Sequence, residues 1–287
     1  MIHLALFIAT CFTTWLAGGA VFAATLMAIL VTHEMGHYVT ARRHGIDVSL
    51  PYFIPLPFVG IGTMGAVIRM RSPIQHRNQL VDVGASGPLA GLAVALPLLV
   101  IGLVQSPVGP TPPGEAAFVE GNSILYFLLK LAIKGQILPG HGVDVQLGPM
   151  ATAAWVGLLV TFINLIPIGQ LDGGHVAAAL FGDRHERVAG WLHRGLAVVG
   201  VVVALLLANE ARAAGRAPAA ALLYGVEGAL PWLVWIILIL VMRRFSGGRY
   251  HPPVGDDALT RGRRVVCWVV AVAFVLLFTP VPMREAL

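Results

Sequence analysis

Charge is scarce in this chain. Asp, Glu, Lys and Arg make up 11% of its 287 residues, against about 25% in a typical soluble domain. That leaves too little polar surface to coat a water-soluble globule. Cysteine is scarcer still. Cys11 and Cys267 both lie in apolar blocks, which argues against a disulfide framework and against a cysteine metal site. No Lys or Arg precedes the first apolar run, so Ala17-Gly18-Gly19-Ala20 reads as part of a retained span, not as a cleavage site. Internal repeats and an appended soluble domain are also missing from the pattern. The net charge of +5 does not indicate nucleic acid. The basic residues are scattered between apolar blocks, as topology signals are.

What the chain has is hydrophobicity: 57% of its residues are apolar, in long blocks, the mark of transmembrane helices. Residues 2–44 form one apolar run. As a single helix it would be about 65 Å long, twice the hydrocarbon thickness. It must turn back, and Gly18-Gly19 is the natural corner. That predicts a short first span near 2–17 and a second near 20–43. Residues 46–71 differ: Pro51, Pro55 and Pro57 exclude a helix, and Ala66–Arg71 alternates apolar and basic residues as a strand does. A β-hairpin or re-entrant loop is expected here, buried in protein or lining a wet cavity. Further spans are expected near 80–104, 149–168, 188–208, 228–242 and 265–279. A Pro-rich loop at 106–122 leads to a short helix at 123–137, where Lys130 and Lys134 suggest an interfacial position. The fold class is therefore an all-α polytopic membrane protein, with about six to seven transmembrane helices and a small membrane-associated β element. One domain is expected over 1–287, with a catalytic core at about 20–183 and additional C-terminal spans at 188–279.

The charges suggest an orientation. With the end of the second span cytoplasmic, that side carries Arg42, Arg43, Arg69, Arg71, Arg77, Arg184, Arg187, Arg243, Arg244, Arg249, Arg261, Arg263 and Arg264. The other side has Lys130, Lys134, Arg212, Arg216 and Arg284. This is a positive-inside bias. It puts the N-terminus in the cytoplasm.

The second span contains His33-Glu34-Met35-Gly36-His37. Residues four apart share a helix face, so His33 and His37 offer two imidazoles to one Zn²⁺. Glu34 is placed to act as a general base toward water. Ionisable residues inside a span are costly and usually functional. The competing explanation is a polar helix–helix contact. His33 lies nine residues before Arg42, about 13 Å from that end of the helix, so the active site is expected nearer the cytoplasmic face. A zinc site needs a third protein ligand. Asn164-Leu165-Ile166-Pro167-Ile168-Gly169-Gln170-Leu171-Asp172-Gly173-Gly174 closes a later span. Its proline and glycines interrupt the helix and let Asp172 turn inward. Asp172 is the expected third ligand, with capping of the next helix as the alternative. Asn164 is a candidate donor to the oxyanion or to the substrate backbone, with an interhelical hydrogen bond as its alternative.

Together these motifs resemble the site-2 protease family of intramembrane zinc metalloproteases, at His33, Glu34, His37, Asn164, Pro167, Leu171, Asp172 and Gly173. Gly62-Thr63-Met64-Gly65-Ala66 with Arg69, Gly87-Pro88-Leu89-Ala90-Gly91, His251-Pro252-Pro253 and Phe278-Thr279-Pro280-Val281-Pro282 are similar to the bacterial and plastid branch. Many members have asparagine where Gly91 stands. The PDZ and nucleotide-sensing domains of other branches are not seen, and the first span is short for the family. The resemblance implies one Zn²⁺ per chain and a metalloendopeptidase that cleaves transmembrane segments of membrane-protein substrates in regulated intramembrane proteolysis. It implies transmembrane protein or peptide partners, such as anti-sigma factors or signal-peptide remnants, a lipid bilayer and no nucleic acid. A bacterial cytoplasmic membrane is the default location. A membrane transporter or metal-handling protein, and a non-catalytic scaffold that binds transmembrane helices, are the alternatives.

The remaining histidines have ordinary explanations at this level. His175, directly after Gly174, is expected on the cytoplasmic face of the following helix, with a supporting contact to the metal ligands as the alternative. His44, His76, His185 and His251 fall in or near basic loops, and His193, beside Arg194 near the start of the fifth span, is expected at the membrane interface. The Gly84–Gly91 segment suggests close helix packing, and the tryptophans suit interfacial belts or packing.

Overall fold

The computed structural model describes residues 1–57, 60–72, 74–110, 118–140 and 142–285; the loop expected at 106–122 therefore lies partly outside the described residues. Helix α1 runs Ile2–Arg43 and breaks at Gly19, where φ is 81° and ψ is −178°. Only glycine adopts that conformation without a steric penalty. The expected corner is thus present, and it divides α1 into two arms. The second arm is central. Leu26, Ile29 and Leu30 are buried on it, together with His33, Glu34 and His37.

The first arm braces a hairpin. Strands β1 (Tyr52–Pro55) and β2 (Thr63–Val67) pair antiparallel, with Tyr52 opposite Val67 and Phe53 opposite Ala66. Thr13 Oγ1 donates to the Gly62 carbonyl at 2.6 Å, and Phe7 meets Phe53 edge-on at 5.3 Å. A side chain at Gly62 would run into the backbone of Thr13 and Thr14. The short first span therefore has a supporting role. The regular strand lies earlier than the 66–71 expected. Pairing continues less regularly beyond it, through Ser49 N–H to the Arg69 carbonyl at 3.0 Å and Arg71 N–H to the Asp47 carbonyl at 2.8 Å.

Helix α2 (Arg77–Gln105) crosses beside α1. Strand β3 (Val108–Pro110) pairs with β5 (Val143–Val145), and β4 (Phe118–Glu120) with β6 (Met283–Glu285). Helix α3 (Ile124–Lys134) lies between them in sequence. The two lysines that suggested an interfacial position are engaged within the protein. Lys130 has no exposed surface; its Nζ is 3.1 Å from Asp144 Oδ1 and 3.9 Å from Glu120 Oε1. The lysine pins α3 to the β4 and β5 segments. Lys134 donates to the Ser106 carbonyl at 2.6 Å.

Helix α4 (Pro149–Asn164) packs closely on α1 and α2, helped by small residues: a side chain at Gly157 would meet Ile29, and one at Gly102 would meet Ala151. Helix α5 (Asp172–Phe181) leads through a short 3-10 turn into α6 (His185–Ala213). Helices α6 and α7 (Pro218–Phe245) form a hairpin with lipid-type outer faces, including exposed Val198, Val201, Leu205, Leu233 and Val234. Helix α8 (Arg261–Leu277) returns to α2, where Arg263 grips Asp82 with Nη2 to Oδ2 at 2.6 Å. Among the described residues, four helical stretches are long and apolar enough to cross a membrane: Ile2–Arg43, Arg77–Gln105, Asp172–Ala213 and Pro218–Phe245. Helix α4 is apolar but shorter.

Candidate metal centre and active site

Three elements meet at the candidate centre. The second arm of α1 presents His33 and His37 one turn apart. Their Nε2 atoms are 3.2 Å from each other. Asp172 comes from the segment that follows α4. Helix α4 stops at Asn164, and the chain turns through residues 165–171, with Gly169 at φ 71°. Side chains at Gly173 and Gly174 would collide with the carbonyls of Leu165 and Gly169. Those two glycines let α5 start hard against the turn. Asp172 is the first residue of α5; the cap position is Leu171, and no side-chain capping bond is made there. The Asp172 carboxylate points instead at the histidines, with Oδ2 3.2 Å from each Nε2.

These donors suit zinc. Ligand atoms at about 2.0–2.2 Å from a tetrahedral zinc stand about 3.3–3.6 Å apart. The observed triangle has three edges of 3.2 Å. It combines two imidazoles and one carboxylate, and His33 and His37 are buried. His37 Nδ1 donates to the Val83 carbonyl at 2.8 Å. That bond fixes the proton on Nδ1 and leaves the Nε2 lone pair free for a metal.

Helix α2 makes room for the rings. A side chain at Gly87 would overlap the His37 imidazole, one at Gly91 would press on His33, and one at Gly36 would hit the Ser86 carbonyl. The glycine segment of α2 therefore serves close packing, as its composition suggests, and what it packs against is the histidine pair.

A cavity of about 220 Å³ opens on this centre. Glu34, Asn164, Gln170 and His175 line it, with Ala66, Val67, Ile68 and Met70 from the hairpin side. Glu34 is buried beside the histidines. Asn164 sits in the wall. Among the described residues its side chain has no hydrogen-bond partner, so the interhelical bond weighed as its alternative is not seen.

The structure moves several other histidines. His175 does not sit on an outer face: its ring lines the cavity, with Nδ1 2.7 Å from His251 Nε2. His251 Nδ1 is 2.7 Å from the Pro252 carbonyl. A carbonyl only accepts, so His251 carries its proton on Nδ1 and its Nε2 accepts from His175 Nδ1–H. His251 belongs to the 246–260 segment, where burial lowers its pKa against the opposing pull of the Pro252 carbonyl and Glu186. His185 and His193 are buried, not at a surface. His193 bonds Tyr250 Oη at 3.0 Å, while both ring nitrogens of His185 lack a partner among the described residues. His44 bonds Asp82 at 2.9 Å, and His76 is exposed as expected. The signal that pointed toward His251 was the His-Pro-Pro tail motif. Nothing local linked it to His175.

The sequence profile of peptidase family M50 matches residues 21–207. The chain belongs to peptidase family M50. This is the site-2 protease family that the motifs resemble. Among curated M50 relatives, the probable zinc metalloprotease EGY2, chloroplastic, of Oryza sativa subsp. indica is 36% identical over 59% of this chain and 30% of that protein. The probable zinc metalloprotease EGY1, chloroplastic, of Arabidopsis thaliana is 31% identical over 76% of this chain and 41% of that protein. The probable zinc metallopeptidase EGY3, chloroplastic, of Arabidopsis thaliana is 26% identical over 82% of this chain and 39% of that protein. The chain thus spans from 30% to 41% of the length of these relatives. No solved structure matches it.

Proposed function

We propose that this M50 chain is a zinc metalloendopeptidase that cleaves transmembrane segments of membrane-protein substrates. The observation that carries the reading is the triangle of His33, His37 and Asp172, built on apolar helices with Glu34 beside it. His33, His37 and Asp172 hold one zinc. The chemistry that zinc supplies when bound is Lewis acidity, polarising a carbonyl and acidifying water. Glu34 takes a proton from the attacking water and returns it to the leaving amine. His37 is held in its ligating tautomer by the Val83 carbonyl. Asn164, without a side-chain hydrogen bond among the described residues, lines the cavity and donates to the oxyanion or to the substrate backbone.

A helical substrate hides its peptide bonds and must unwind first. The hairpin beside the cavity offers β2 as a strand to which the unwound segment adds. Proline substitutions along 64–70 are then expected to abolish cleavage while zinc stays bound; unchanged cleavage would reject this role. One catalytic domain with its core at about 20–183 and C-terminal spans beyond fits the element order. The spans number seven when the two arms of α1, α4 and α8 are counted with the longer helices, and six without the short first arm. The arginine-rich helix ends support a cytoplasmic, or stromal, face close to the zinc. The printed names of the relatives offer a plastid membrane as the counterpart of a bacterial one.

Metal content tests the ligand set. Purified wild type is expected to hold one zinc, and His33→Ala, His37→Ala and Asp172→Ala less than that. Full zinc in all three variants would reject the assignment.

A further inference from the structure

Outside the zinc centre, a cavity lies between α6 and α7, at their arginine-rich end. It measures about 710 Å³. Arg187, Arg194 and Arg243 line it, with apolar Ala197, Ile236 and Leu240 on its walls. We propose that this crevice is a binding site for an anionic phospholipid, with the phosphate on the arginines and an acyl chain along the apolar wall.

The charge balance supports this. Among the described residues, none of the three arginines is paired with an acid. Arg194 gives Nε to the Gly190 carbonyl at 3.0 Å and lies over the Trp191 ring. Arg243 gives Nε to the Gly248 carbonyl at 2.8 Å and lies over the Tyr250 ring. Each guanidinium has five N–H donors, so each keeps its outer nitrogens for an oxyanion. The acid in the lining is Glu186, whose Oε1 already accepts from the backbone N–H groups of Tyr250 and His251.

The walls decide the ligand class. A free phosphate or a nucleic acid would use the arginines and leave the apolar wall empty. A phospholipid uses both, and the flanking helices already present lipid-type faces: Val198, Val201, Leu233 and Val234 are exposed. Basic pockets between membrane helices recognise anionic headgroups in this way. The site also touches the machinery proposed for catalysis. Tyr250 lines the crevice, and its neighbour His251 bonds His175 in the catalytic cavity wall.

The experiment uses the full chain in phosphatidylcholine nanodiscs, with spin-labelled phosphatidylglycerol or spin-labelled phosphatidylcholine added in trace amounts. Wild type is expected to immobilise the glycerol lipid in preference to the choline lipid. Arg187→Gln removes a solvent-facing charge without disturbing packing and should lower that preference roughly fivefold, with further losses in Arg194→Gln and Arg243→Gln. Arg261→Gln and Arg264→Gln, on α8, should leave it unchanged. Equal retention of both lipids by wild type would overturn the proposal. So would an equal loss in the α8 variants, which would mean diffuse charge attraction. Displacement of the label by millimolar inorganic phosphate would also overturn it, by showing a free-anion site.

Discussion

Gly87 of α2 faces the imidazole of His37 so closely that a methyl group there would overlap the ring. The same ring is tied to the Val83 carbonyl one turn earlier on α2. The proposed metal ligand His37 is thus positioned by a helix that supplies none of the three proposed ligands. Gly87→Ala is expected to displace His37 and to weaken zinc binding by about 10–100-fold, the usual effect of disturbing the groups that orient a ligand. Gly91→Ala, whose methyl would stand 3.3 Å from His33 Cβ, should have a smaller effect. Zinc titration against a competing chelator separates the two; equal, wild-type affinities would contradict this account of α2.

Lys130 predicts a stability effect far from the zinc. Its ammonium is fully buried against Asp144. Removing one partner of such a pair leaves an unpaired buried charge and costs about 3–5 kcal/mol. Lys130→Met should therefore unfold much more readily in detergent. Lys130→Met combined with Asp144→Leu should recover part of the loss, with Glu120, 3.9 Å from Lys130 Nζ, then remaining as the lone acid. Failure of the double variant to recover would mean that the ion pair is not the main tether of α3.

His251 predicts a pH dependence. Its folded pKa is lowered by burial, while an unfolded histidine takes up a proton near pH about 6.5. Above that pH both states are neutral and the stability is fully present. As pH falls through it, the unfolded chain gains a proton that the folded ring resists, and stability is lost down to the folded pKa. His175, His185 and Glu186 surround the ring. Wild type should lose melting temperature between about pH 7 and about pH 5 more steeply than His251→Gln. Parallel slopes would show that His251 does not carry the effect.

Much of the site is legible from the residues. The i, i+4 histidine pair and the break before Asp172 are local features, encoded by helix periodicity and by Pro167 with its glycines. So is the corner at Gly19. The hairpin is visible in its prolines, but its register is not: the regular strand occupies 63–67, because contact with the first arm of α1 through Thr13 and Gly62 fixes it there. The burial of Lys130 is a tertiary fact, since Asp144 and Glu120 reach it from separate segments. The link from His175 to His251 joins residues 76 apart in the chain. No periodicity carries such information. The α6–α7 crevice likewise exists only once the two helices are packed.

The central claim is that Glu34 acts on water beside zinc held by His33, His37 and Asp172. The most direct test is cleavage of a panel of single-span membrane proteins by the purified protein in liposomes, wild type against Glu34→Gln, with zinc counted in both. The account predicts one zinc in each, and cleavage in the variant lowered by about 10²–10⁴-fold. Wild-type cleavage by Glu34→Gln, or an absence of zinc from the wild-type protein, would contradict it.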